Sequence, residues 1–259
     1  MDTGAVQDDA VWVWGVPFAP VTFQQTLDRV EALIAARKPT YFITANLHYC
    51  MLTERDPRLD PLNRAATLIV ADGMPIVWAS RWRTTRLPER VTGSDLIPAL
   101  CELAAHKGYK VFLLGGAPEV AKEAERRLRE KHPTLQIVGV ESPPFRELTP
   151  EEHAELVGRI RAANPDMLFV SFGQPKGVLW LQQHCESLGV PVTAQVGATI
   201  DFLAGKVSRA PRWVQRIGLE WVYRLAREPK RLGSRYASNI WFITRMLCRD
   251  LFRRKANRR

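Results

Sequence analysis

Val111-Phe112-Leu113-Leu114-Gly115-Gly116-Ala117-Pro118-Glu119 is the stretch from which the fold of this chain can be worked out. Val111–Leu114 is too short an apolar run for a helix and suits a strand buried on both faces. Gly115 and Gly116 permit a sharp turn, and Pro118 with Glu119 opens a charged helix that reaches Lys131. Backbone N–H groups at such a junction attract phosphate oxygens, and the helix dipole adds to the pull.

The same strand-then-helix unit recurs to either side. Upstream, Val11–Trp14 reads as a short strand closed by Gly15 and Pro17. Thr22 caps a helix to about Arg37, with Leu27, Val30, Leu33 and Ile34 on one face. Tyr41–Thr44 is a strand and Tyr49–Arg55 a helix. Thr67–Val70 is a strand ending at Ala71-Asp72-Gly73, and Pro75–Arg81 is helical. Ser94 or Asp95 caps a helix to His106. Downstream, Ile137–Val140 is a strand, and Thr149-Pro150-Glu151-Glu152 is a capping signature for a helix to about Ala163. Met167–Phe172 is a strand, Leu179–Ser187 a helix, and Val192–Val196 a last strand ending near Gly197. The alternation predicts an α/β fold, with a Rossmann-like, mostly parallel sheet covered by helices on both faces. Such sheets hold ligands at the carboxyl ends of their strands. Thr44/Asn46, Asp72, Gly115/Gly116, Gly173/Gln174 and Gly197 all fall there.

Composition breaks near Gly205. From Lys206 to Arg259 there are 16 Lys and Arg against 3 Asp and Glu, while the remainder of this +10 chain is slightly acidic. Trp213, Trp221, Tyr223, Tyr236, Trp241, Phe242 and Phe252 lie among those cations. Pro211 opens a helix to about Glu228, and Pro229 restarts or kinks it. Tyr236, Ile240, Ile243, Leu247 and Leu251 then keep helical spacing, with Arg245, Arg249 and Arg253 on the opposite side. The expected division is a catalytic α/β domain over 1–205 and a basic helical appendage over 206–259 that meets an anionic membrane surface. An apolar stripe of this kind is equally suited to a second subunit, so a homo-oligomer is compatible with the pattern.

Other classes are disfavoured. The first ten residues are acidic and small, unlike a secretory leader. No run reaches the roughly 18 apolar residues that span a bilayer. The four cysteines, Cys50, Cys101, Cys185 and Cys248, show no paired spacing and fit free thiols in a reducing compartment. A cytoplasmic protein, peripheral on the inner face of the membrane, is expected. The dinucleotide fingerprint and the Walker lysine motif are missing. The histidines have no metal-like spacing and no Asp-x-Asp pair exists, which points away from a metal. A leaving diphosphate would then be met by N–H groups and by Arg or Lys.

Asp72, at a strand's carboxyl end beside a glycine, suits a general base, although a carboxylate there equally suits a cap on the following helix. Thr44 and Asn46 supply short donors and acceptors for a hydroxyl or a sugar, or else local turn bonds.

Taken in order, several motifs resemble the WecG/TagA/CpsF glycosyltransferases from about Val13 to Tyr236. They are Thr44-Ala-Asn46, Ala71-Asp72-Gly73-Met-Pro75, Arg90-Val-Thr-Gly93-Ser94-Asp95-Leu96 and Val111-Phe-Leu-Leu-Gly115-Gly116. Further along come Phe172-Gly173-Gln174-Pro175-Lys176, Asp201-Phe202-Leu203-Ala204-Gly205, Arg209-Ala-Pro211 and Gly218-Leu219-Glu220-Trp221. The resemblance implies an inverting enzyme that needs neither metal nor cofactor. It would move N-acetylmannosamine from a UDP-sugar donor to an undecaprenyl-diphosphate-linked sugar, in wall teichoic acid or other cell-surface polysaccharide synthesis.

It also implies residue roles. Asp72 would deprotonate the acceptor hydroxyl, with Thr44 and Asn46 in the same pocket and Arg90 facing a phosphate or sugar. Gly115, Gly116, Gly197 and Asp201 would border the donor, and Arg224 and Arg231 would close over the diphosphate. One departure stands out. The family commonly reads Pro-Lys-Gln-Glu where this chain has Pro175-Lys176-Gly177-Val178, and Gln174 is the amide three positions earlier. A different donor such as UDP-glucose therefore stays open. The rivals are a nucleic-acid-binding protein gripping phosphates through its tail, a nucleotide-sugar oxidoreductase or epimerase, and an inactive sugar-nucleotide binder. The missing motifs weigh against the first two, so no nucleic-acid partner is expected.

Overall fold

A computed structural model describes residues 9–206, 210–216 and 218–256, without the side chains of Arg212, Arg216, Arg231 and residues 252–256. The chain opens with a hairpin, β1 (Val11–Val13) and β2 (Val16–Phe18). Sequence reading stopped at β1 because Pro17 looks like a breaker. In fact Val13 pairs with Val16 across the two-residue turn Trp14-Gly15, whose φ angles are 49° and 85°. Both central residues of such a turn take positive φ, which matches the twist of the flanking strands.

The sheet is built from β3 (Thr40–Ala45), β4 (Leu68–Ala71), β5 (Lys110–Gly115), β6 (Gln136–Glu141), β7 (Met167–Ser171) and β8 (Val192–Gln195). Their order is β4-β3-β8-β7-β5-β6, and every neighbouring pair is parallel. Side chains alternate across it with period two. Ile43, Ile69, Leu114 and Val170 enter the core on one face, and Phe42, Val70, Leu113 and Phe169 the core on the other.

Helices cover both faces: α1 (Phe23–Ala36), α2 (Leu47–Arg55), α3 (Leu59–Ala65), α4 (Met74–Ser80), α5 (Gly93–Lys107), α6 (Pro118–Lys131), α7 (Pro150–Ala163), α8 (Lys176–Leu188) and α9 (Thr199–Leu203). Thr22 and Thr149 form capping boxes on α1 and α7, as their sequences predict. The cap of α5 is Thr92, not Ser94 or Asp95; its hydroxyl accepts the Asp95 N–H at 3.2 Å, so the helix begins at Gly93. That shift of register puts the Gly93 N–H against Asp72.

The basic tail forms α10 (Arg212–Arg216), α11 (Glu220–Arg227) and α12 (Pro229–Ala256). The single helix expected from Pro211 to Glu228 is broken. Gly218 has φ 77°, and a Cβ there would lie 2.8 Å from Met74 Cγ, so backbone and body meet where only glycine fits. α12 packs on α2 with a face rotated from the predicted stripe. Leu232, Asn239, Phe242, Met246 and Asp250 are buried; of the predicted stripe, Ile243 and Leu247 pack against the core while partly buried, whereas Ile240 and Leu251 are about half exposed. The rotation follows from what the body offers. The Trp14 ring meets Phe242 edge-on with centroids 5.7 Å apart, and its Nε1–H donates to Asp250 at 3.3 Å. Arg83 pairs with the same Asp250 oxygen at 3.1 Å. On the cationic side, Arg245 and Arg249 meet Glu54 of α2; Arg253 lies outside the described side chains. Among the described residues, no helix is long and apolar enough to cross a membrane.

Candidate active site

A cavity of about 290 Å³ lies where the carboxyl ends of β3 and β4 face α11 and α12. Its floor is polar, with Asp72, Arg90, Glu220 and Arg224, and one wall is apolar, with Met74, Trp78, Leu232, Tyr236 and Ile243. That size is at the low end for small-molecule sites, and the mixture of an apolar wall with a few convergent polar groups is typical of them.

Asp72 follows β4 directly, and its backbone N–H donates to Ala45 O at 2.9 Å, which holds it to the end of β3. Helix α4 begins at Met74 behind Gly73 and has no side-chain cap, so Asp72 is no helix cap. Its carboxylate accepts the Gly93 N–H instead and borders the cavity. Burial pushes this carboxyl up to about 6; Glu220 pushes the same way, while Arg90, the Gly93 N–H and Arg224 oppose it. A carboxylate in that range is a competent base near neutral pH.

Arg90 reaches across to Glu220 of α11 at 3.2 Å, with both side chains largely buried. The pair ties the tail to the floor of the cavity. Arg224 lies on the same side, stacks its guanidinium 5.1 Å above the Phe202 ring, and has a buried Nε with no partner. Asn46 lines the cavity while its side-chain oxygen accepts the Tyr49 N–H at 3.1 Å, so it also caps α2. Thr44 lies one layer below. Its hydroxyl donates to Gln195 O at 3.2 Å, and Gly93 is pressed so close that a Cβ would sit 3.2 Å from that hydroxyl.

The remaining glycine positions form a second neighbourhood rather than lining this cavity. Gly115 pairs with Ser171, whose hydroxyl donates to Gly197 O, and Gly116 faces Ile200 of α9 beside Asp201. Gly115 (φ 106°) and Gly116 (φ 79°) take conformations that suit glycine, and a Cβ on Gly115 would meet Ser171 O at 2.8 Å. Gln174 follows this turn with its Oε1 buried and unpartnered. Arg224 is the link between the two neighbourhoods, through Phe202 of α9. The Arg231 side chain lies outside the described residues.

The departure at Gly177 has a structural counterpart. A Cβ at this position would stand 3.1 Å from Phe172 O and 3.2 Å from Cγ of Gln195. Gln195 is fully buried on β8, and its amide donates to Phe172 O at 3.0 Å. The Gln195 side chain, through its Cγ, thus occupies the space beside Gly177.

Sequence reading missed His48, Arg235 and Asn239, which line the cavity, and it quoted Glu220 without a role. His48 and Asn239 are far apart in the chain and meet only because α12 folds back on α2. The imidazole of His48 is pushed down to about 4, mainly by burial and also by Arg235 and Arg55, against the opposing Asn239 side chain. Among the described residues no group of three or more His, Cys, Asp and Glu could hold a metal ion.

A model of the glycosyl transferase WecG/TagA/CpsF family matches residues 11–257, from the first hairpin strand to past the end of α12. A parallel α/β sheet with a carboxylate and arginines gathered at its strand ends is in keeping with glycosyl transfer, and the chain belongs to the WecG/TagA/CpsF family of glycosyltransferases.

Proposed function

We propose that this enzyme transfers a sugar from a UDP-sugar to a hydroxyl of an undecaprenyl-diphosphate-linked sugar, inverting the anomeric centre, on the cytoplasmic face of the membrane. The observation that carries the reading is Asp72: a half-buried carboxylate with a raised pKa, in a cavity that also holds Arg90 and Arg224. The acceptor hydroxyl gives its proton to Asp72 as its oxygen bonds to the anomeric carbon. On the opposite side the bond from that carbon to the diphosphate breaks, and UDP leaves with the electron pair. Arg224 is suited to the charge developing on the diphosphate, and so are the backbone N–H groups around Gly115/Gly116 and Gly197, with Asp201 and Gln174 beside the donor. Arg90 and Asn46 orient the sugar, and Thr44 supports them from below.

The wall of Met74, Trp78, Leu232 and Ile243 suits the apolar carrier of a lipid-linked acceptor. Exposed Trp213 and Trp241, at 67% and 68% accessibility, together with the cations of 206–259, support docking on an anionic membrane surface. In this reading residues 1–205 carry the catalytic fold and 206–259 dock and close it. N-acetylmannosamine is the first donor to try, because the family resemblance points to it, and UDP-glucose is the next because of Gly177.

The test is release of UDP from a panel of UDP-sugars, with and without a short-chain prenyl-diphosphate N-acetylglucosamine acceptor. Acceptor-dependent release from one donor is expected. Release indifferent to acceptor, or none from any donor, would overturn the reading.

A further inference from the structure

Buried polar atoms without partners are costly, and one that lines a cavity is a place where a ligand can complete it. Three such atoms among the described residues belong to side chains that line the cavity: Arg224 Nε, His48 Nδ1 and Asn239 Oδ1; the His48 and Asn239 side chains lie within reach of each other, but neither atom completes a well-formed hydrogen bond. Arg224 faces Asp72 and is already part of the reaction proposed above. The other two belong to the seam between α2 and α12, where that mechanism gives neither a task.

Their chemistry differs from the arginine side. Burial disfavours a positive charge on the His48 ring, Arg235 and Arg55 add to that against the opposing Asn239 side chain, and a place in the first turn of α2 acts in the same sense. The ring is therefore neutral at physiological pH and has one N–H and one lone pair. Asn239 is 5% exposed, and its unpartnered oxygen is an acceptor. Arg235, which also lines the cavity, favours an anion nearby, but a phosphate directly against the amide oxygen and a ring nitrogen that presents its lone pair would find like partial charges. A hydroxyl both donates and accepts, so it can complete either atom whichever ring nitrogen carries the proton.

We propose that His48 and Asn239 form a subsite for a sugar hydroxyl, making His48 a specificity-determining residue and giving α12 a part in sugar recognition. The subsite rests on the glycosyl-transfer reading for its ligand, but it can be tested apart from it. In full-length protein with ¹⁵N-labelled histidine, the His48 ring signals are assigned by their loss in His48→Asn. Short-chain prenyl-diphosphate N-acetylglucosamine, the UDP-sugars, UDP and inorganic phosphate are then added separately.

A sugar-bearing ligand is expected to move the His48 signals, while UDP and phosphate leave them in place. In turnover assays, His48→Ala should raise KM for that sugar substrate roughly tenfold with little change in kcat, and His48→Asn, which keeps an acceptor, should recover most of it. Signals that move with phosphate alone, or with no sugar ligand, would overturn the subsite. So would an unchanged KM in His48→Ala. If Asp72→Asn still abolishes turnover in that case, the reaction stands and only the subsite falls. If no UDP is released from any donor, the reaction reading falls and the ¹⁵N signals still decide the subsite.

Discussion

The two ends of the sheet's carboxyl edge are built from different materials. At β3 and β4 the loops bring charged side chains together under the tail helices: Asp72, Arg90 with Glu220, and Arg224. After β5 and β8 the loops carry glycines at positive φ (Gly115, Gly116 and Gly197), with Gly115 also pressed against the Ser171 carbonyl, and the groups offered are mainly backbone. Side chains suit proton transfer, which needs a tuned pKa. Backbone N–H groups suit a phosphate, which needs several fixed donors at close range. In the proposed reaction this contrast would divide the labour of one transfer between two neighbourhoods, with Arg224 reaching from the cavity to Phe202 of α9.

Substitutions at the charged end should act on rate, and those at the glycine end on stability first. The largest effect is expected from Asp72→Asn, about 10²–10⁴-fold in kcat for UDP release, with folding intact. The same variant should be more stable than the wild type at neutral pH. Burial raises the native carboxyl from 3.8 to about 6, so ionising it costs native stability above pH 6, and that cost fades as pH falls towards 4. Melting curves at pH 7.5 and 4 check the sign: the gain of Asp72→Asn should be present at the first and gone at the second. Arg224→Ala should lower kcat by roughly 10²–10³-fold if it meets the diphosphate, with partial recovery in Arg224→Lys. An equal loss in both would point to packing on Phe202 instead.

At the glycine end, Gly115→Ala should destabilise by about 2–4 kcal/mol in urea unfolding, because a positive φ and the Ser171 carbonyl both oppose a Cβ. Asp250→Ala, at the anchor of α12, should cost about 2–3 kcal/mol, since Trp14 and Arg83 lose their shared acceptor. The smallest change is expected for Arg245→Ala, whose ion pair with Glu54 is exposed and worth about 0.5 kcal/mol.

Local patterns carried most of the fold into the sequence: four-residue apolar runs, capping threonines, glycines at strand ends. The position of Asp72 beyond β4 was legible for the same reason. What escaped was set by distant contacts. Trp14 and Gly15 disguise a hairpin turn whose packing is completed by α12, and the buried face of α12 is chosen by Trp14, Arg83 and α2 rather than by its own periodicity. His48 and Asn239 have no sequence signal linking them, because the seam exists only once the tail has docked. Gly177 reads as a loss in sequence, yet Gln195 occupies the space beside it.

If Asp72 is the base, the pH dependence of kcat for UDP release will show it. The rate should fall about tenfold per pH unit below a midpoint near 6, and Asp72→Asn should be slow and flat across the same range. Full activity at pH 5, or an Asp72→Asn enzyme within a few-fold of wild type at pH 7.5, would contradict that role.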